Sequence, residues 1–170
     1  MKIIHMAFAS AVAAAALPGI AAAQAPFYER IGPWTVVQAS RACTASAYPT
    51  AFPDGKMPPW EVVALTMEGP LELGVRFSGQ IAADASLGEQ EGQALIGDEG
   101  QQPEYVRPPL FIADRGGERS VFVTLEGEAL KLARRHDFLV VRAGSQMLPV
   151  SLTPHRDEVL EALERCSERL

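Results

Sequence analysis

The chain has 170 residues, 48% of them hydrophobic, and a formal net charge of −6 at pH 7. That length suits one domain with a substantial core. The acidic balance argues against nucleic acid or anionic lipid as a partner held by bulk charge.

The first residues read as a targeting segment. Lys2 and His5 give a weakly positive start, Met6 to Leu17 is apolar, and Ala21-Ala22-Ala23 supplies the small residues a signal peptidase needs. Residues 1–23 are therefore expected to be a cleaved signal peptide, with cleavage after Ala23. The apolar run is too short for a membrane anchor, and no later stretch approaches spanning length. The remaining chain, 24–170, carries a formal charge of −7 once Lys2 is gone. It is expected to be a single β-rich domain, periplasmic or secreted. An exported chain with two cysteines most simply forms one disulfide, here Cys43–Cys166. Two free buried thiols, or a redox pair, are the rival readings.

Trp34 to Ser40 (WTVVQAS) is β-branched and reads as a strand, and Arg41 to Tyr48 continues it or pairs with it. Pro49 to Pro59 holds four prolines and an Asp-Gly, so it reads as a surface loop rather than a proline-rich ligand for an aromatic groove. Trp60 to Met67 and Leu71 to Phe77 flank Glu68-Gly69-Pro70 as an antiparallel hairpin. In its second arm Leu71, Leu73, Val75 and Phe77 alternate with polar neighbours, the period of a half-buried strand.

Residues 77–106 contain no basic side chain and six acids: Asp84, Glu89, Glu91, Asp98, Glu99 and Glu104. Hard cations want several oxygen ligands, which makes Asp84, Glu89, Glu91, Asp98 and Glu99 the candidate cation ligands. The spacing matches no EF-hand loop, however, and a solvated acidic loop with one short strand, Ala94 to Ile96, is the expectation. No metal or cofactor is called for.

A second hairpin is expected from Leu110 to Ala113 and Ser120 to Leu125 across Asp114-Arg115-Gly116-Gly117. Glu128 to Arg135 has the composition of a two-turn helix. Phe138 to Arg142 and Gln146 to Ser151 form a third hairpin over Ala143-Gly144-Ser145. A final amphipathic helix follows, with Thr153 as its cap and Pro154 at its first position. Asp157 and Glu158 lie near its positive end and Arg165 and Arg169 near its negative end. Val159, Leu163, Cys166 and Leu170 step along one inward face. The fold expected is mainly β: seven to nine antiparallel strands in a sandwich or barrel-like domain, one short internal helix and a C-terminal helix.

Catalytic signals are weak. His136 beside Asp137 is not an oriented pair, because sequence neighbours rarely face each other. His155 sits at a helix start, Ser145 in an ordinary turn, and no nucleophile elbow is present. Gly116-Gly117 lacks the lysine and helix of a phosphate loop. Two histidines and two bridged cysteines in the exported portion do not make a zinc site. Trp34 and Trp60 are expected to pack in the core or at its rim rather than to stack on sugar. The arginines of the second half, Arg107, Arg115, Arg119, Arg134, Arg135 and Arg142, suit strand-edge protection or an acidic partner.

Several features together resemble the secreted bacterial proteins related to invasion-associated locus B. They are the signal segment, Gly32-Pro33-Trp34-Thr35-Val36 with a cysteine soon after, and the block GEALKLARRHDFLVVRAGSQMLPVSL. That block ends in Ser151-Leu152 and leads to a helix with Ala162-Leu163. The chain lacks that family's mid-chain cysteines and has Thr153-Pro154 where the family has Gly-Phe. Its closing helix, Leu160 to Cys166, is closer to a sister group of two-cysteine periplasmic proteins. The resemblance implies a β-sandwich, an envelope role and no enzyme activity. The functional expectation is thus an exported, non-enzymatic protein that binds an envelope or protein partner. A small enzyme acting on carbohydrate or cell wall through paired carboxylates, and a carrier of a cation or small ligand, are the alternatives.

Overall fold

The computed structural model describes residues 26–51, 55–69 and 71–170. The expected signal peptide, 1–23, lies outside the described residues. Two antiparallel sheets and two helices account for the rest. The first sheet is built from β1 (Tyr28–Ile31), β2 (Trp34–Ala39), β3 (Ala42–Ala47), β4 (Val62–Gly69), β5 (Glu72–Gly79), β6 (Gly88–Glu91), β9 (Pro109–Arg115) and β10 (Glu118–Glu126). Its eight strands run in the order β1-β2-β3-β4-β5-β10-β9-β6. The second holds β7 (Gln93–Gly97), β8 (Glu104–Val106), β11 (Phe138–Ala143) and β12 (Gln146–Ser151), in the order β12-β11-β7-β8. The arrangement is sandwich-like, with no closed barrel.

Alternation sets which face of the large sheet is apolar. Val36, Ala45, Leu65, Val75, Val123 and Leu110 are buried and paired across neighbouring strands, while Thr44, Thr66, Gly74 and Thr124 turn the other way. Leu65, Leu73, Val75 and Leu125 meet Leu139, Val150 and Leu152 across an internal space of about 10 Å³, so the two sheets face each other there. Helix α1 (Gly127–Ala133) touches β10, β5 and β7, and so bridges both sheets.

Helix α2 (Arg156–Ser167) covers the large sheet over β1, β2, β3 and β4. Val159, Ala162, Leu163 and Cys166 are fully buried beneath it. Cys166 is joined to Cys43 of β3 with a Cα–Cα distance of 5.9 Å, so the expected disulfide is formed. Arg165 adds an ion pair with Glu29 of β1 at 2.9 Å.

Four expectations are corrected. The sandwich has twelve strands among the described residues, not seven to nine. Segment 77–106 is not a loop with one strand, because β6, β7 and β8 all lie in it and are fixed by pairing to β9 and β11. Thr153 and Pro154 do not start α2. The His155 N–H bonds the Leu152 carbonyl at 2.8 Å, closing a turn that contains both, and the helix begins at Arg156. Leu170 is 48% exposed, since the helix ends at Ser167 and the inward stepping stops with it.

A candidate ligand cleft around the two tryptophans

The candidate cation ligands do not converge. The Ser145 N–H donates to Asp84 at 2.9 Å, and hydrogen bonds from Ser145 hold the Asp84 carboxyl below its usual range. Glu89 stands on β6 opposite Phe111. Glu91, on the same strand, reaches Arg107 at 3.5 Å. Asp98 is hydrogen-bonded to His136 at 3.1 Å and accepts from the Asp137 N–H at 3.0 Å. These bonds, that of His136 first, lower its pKa. Glu99 lines a cleft apart from the others. Among the described residues no group of three or more His, Cys, Asp or Glu side chains is placed to hold a metal ion.

The cleft has mostly apolar walls and a volume of about 540 Å³, within the range of ligand pockets. Five parts of the chain build it: Pro33 and Trp34 at the start of β2; Thr50, Ala51, Pro58 and Trp60 before β4; Glu99 after β7; Asp137, Phe138 and Val140 at the start of β11; and Pro149, Val150, Ser151 and Thr153 on β12 and beyond. Gly32 permits the first of these. It has φ +53°, and any side chain there would collide with the His155 ring. Trp34 and Trp60 are 3% and 6% exposed, so both are packed, as expected, while their edges form cleft wall.

Trp60 is fixed from two sides. Its ring lies 6.3 Å from that of Phe77 at a 52° tilt. Its Nε1–H donates to the Pro149 carbonyl at 2.6 Å. Strand β12 is a sheet edge, where a proline removes no ladder hydrogen bond, and the indole satisfies the outward carbonyl. Val140 pairs with Pro149, and Phe138 with Ser151, so these four side chains share the outer face of the smaller sheet and floor the cleft.

Two carboxylates, Glu99 and Asp137, line the cleft. Asp137 is held by Arg156 at 3.1 Å. Arg156 also hydrogen-bonds Asp157, which does not line the cleft, and holds that carboxyl below its usual range. His136 turns to Asp98 rather than to its neighbour Asp137, and His155 pairs with Glu158 at 3.2 Å.

A second, more open concavity of about 430 Å³ lies on the outer face of the large sheet around Phe111 and Phe122, whose rings are 6.1 Å apart. Its base is a sheet surface rather than an enclosed wall. Comparison with family models, curated proteins and solved structures gives no match. The sequence foresaw the packing of both tryptophans but not that they share a cleft. The available signal was that each follows a proline at the mouth of a strand, in Pro33-Trp34 and Pro59-Trp60.

Proposed function

We propose that the protein is exported, is cleaved after Ala23, and acts in the periplasm or outside the cell as a non-enzymatic binding protein. Its envelope or protein partner docks in the cleft around Trp34 and Trp60. The observation that carries this reading is the cleft itself: a space of about 540 Å³ with mostly apolar walls drawn from five stretches of chain. Two further features support it. The buried Cys43–Cys166 bridge suits an oxidising compartment, and among the described residues no helix is long and apolar enough to cross a membrane. The resemblance to invasion-associated locus B proteins and their two-cysteine sister group points the same way.

The test compares the exported wild-type chain with Val140→Arg, which fills the cleft from its floor without touching the core face of β11. Intact mass should show a chain beginning at Gln24 with both thiols blocked. Crosslinked envelopes should yield a partner with wild type that is lost with V140R, while the two proteins melt within a few degrees of each other. Recovery of nothing above background, or the same set of partners with both proteins, overturns the reading.

A further inference from the structure

We propose that the cleft receives the side chain of a lysine or arginine presented by a partner protein, a positive charge carried on an apolar stem. This rests on the reading of the cleft as a binding site and names what enters it. The walls supplied by Trp34, Trp60, Phe138 and Val140 suit a hydrocarbon stem. The ionisable groups that line the cleft are both carboxylates, Glu99 and Asp137, with no basic side chain among the described lining residues.

Arg156, the cation paired with Asp137, is already committed. The Arg156 guanidinium contacts Asp157 at 2.8 Å and Asp137 at 3.1 Å, and donates to the Arg135 carbonyl at 2.7 Å. It therefore offsets about one of those two carboxylates. Asp98 stands behind Asp137, accepting its N–H. Glu99 has no ion pair or side-chain hydrogen bond among the described residues. Glu99 is solvent-exposed, so a cation entering beside it gains a modest, salt-screened attraction, and an anion is repelled. The net charge of the whole chain, −6, favours approach of the same sign of ligand.

The two tryptophans, the only ones in the chain, both line the cleft, so intrinsic fluorescence reports its occupancy. The disulfide-intact exported protein is titrated with n-hexylammonium, with hexanoate as an anion of matched length, and with short apolar peptides containing one lysine or one arginine. A saturable change is expected for the cations, with affinity about fivefold above hexanoate and about threefold lost in Glu99→Gln. Added salt should weaken the cation response alone. A tenfold preference for the peptides over the free amine supports a peptide side chain as the occupant, and the reverse overturns that assignment. Equal affinity for hexylammonium and hexanoate, no saturation with any cation, or an unchanged E99Q overturns the inference. If a partner recovered from envelopes is still lost with V140R, the binding-site reading survives that failure. If V140R changes nothing either, both fall.

Discussion

Removing the Cys43–Cys166 bridge is the sharpest test of how the fold is held. The bridge spans a sequence separation of 123 residues. In the chain-entropy account, closing a loop of that length stabilises the native state by about 5 kcal/mol, by restricting the unfolded chain. The 147 residues that remain under the proposed cleavage after Ala23 correspond to an unfolding entropy of ~0.3 kcal/mol/K near the midpoint. Reduction should therefore lower the melting temperature by about 16 °C. The assay is circular dichroism melting and urea titration of the same protein with and without reductant, with Cys43→Ala/Cys166→Ala as a second route. Both sulfurs are fully buried, so the double variant adds a small packing loss of its own.

The account also fixes where the effect acts. Val159, Ala162 and Leu163 bury α2 independently of the sulfur, so the reduced protein should keep its helix content and melt in one transition. Its unfolded state is more open, so its urea m-value should rise. A loss below about 1 kcal/mol would refute the reasoning. So would an early separate transition in which α2 detaches, because the bridge would then be acting as a local latch.

Three further outcomes are expected. The folded-state pKa of Asp98 is depressed, so its contribution is fully present above the unfolded value near 3.8 and is lost as pH falls from there through the lower folded value; the urea midpoint of wild type should drop more steeply than that of Asp98→Asn below about pH 4, and parallel curves would count against it. Gly32→Ala should cost about 1 kcal/mol more than Gly116→Ala in urea titrations, since both have positive φ but only Gly32 faces the His155 ring; His155→Ala should recover the difference, and equal losses would remove the argument. Trp60→Phe should lose about 2 kcal/mol in the same assay, from the bond to Pro149 and a partly unfilled site, and a neutral result would mean that bond carries no weight.

What the sequence disclosed of the fold follows a physical line. The strands readable from side-chain pattern, such as WTVVQAS and LELGVRF, have one face in the core, so burial is written into their alternation; Leu71 is the exception, 80% exposed in the turn before β5 begins at Glu72. The three strands missed are YERI, GEQE and EYV, and β1, β6 and β8 are all sheet edges. Only Ile31 is buried among their eleven residues, and pairing with β2, β9 and β7 holds them extended. Nothing in GEQE encodes that pairing, because its partner lies some twenty residues further along the chain. The start of α2 was misplaced for a related reason. Thr153 and Pro154 have the composition of a cap, but a turn closed by backbone atoms of Leu152 and His155 uses them instead.

The site was less legible, because its walls are made of the same residue types as the core and come from stretches far apart in sequence. The acidic run 77–106 nevertheless becomes interpretable once it is folded. Glu89 and Glu91 lie on β6 and Glu104 on β8, charging one edge of each sheet, which hinders edge-to-edge association. Asp84 and Asp98 are consumed by hydrogen bonds that tie the run to the β11–β12 turn and to the start of β11. Those five acids have structural uses that make a shared cation site unnecessary. Glu99 has no such use among the described residues, and it is the one that faces the cleft. The charge that folding leaves unexplained thus coincides with the cavity that folding leaves unfilled, which is why Glu99→Gln, rather than any of the other five substitutions, decides what the cleft accepts.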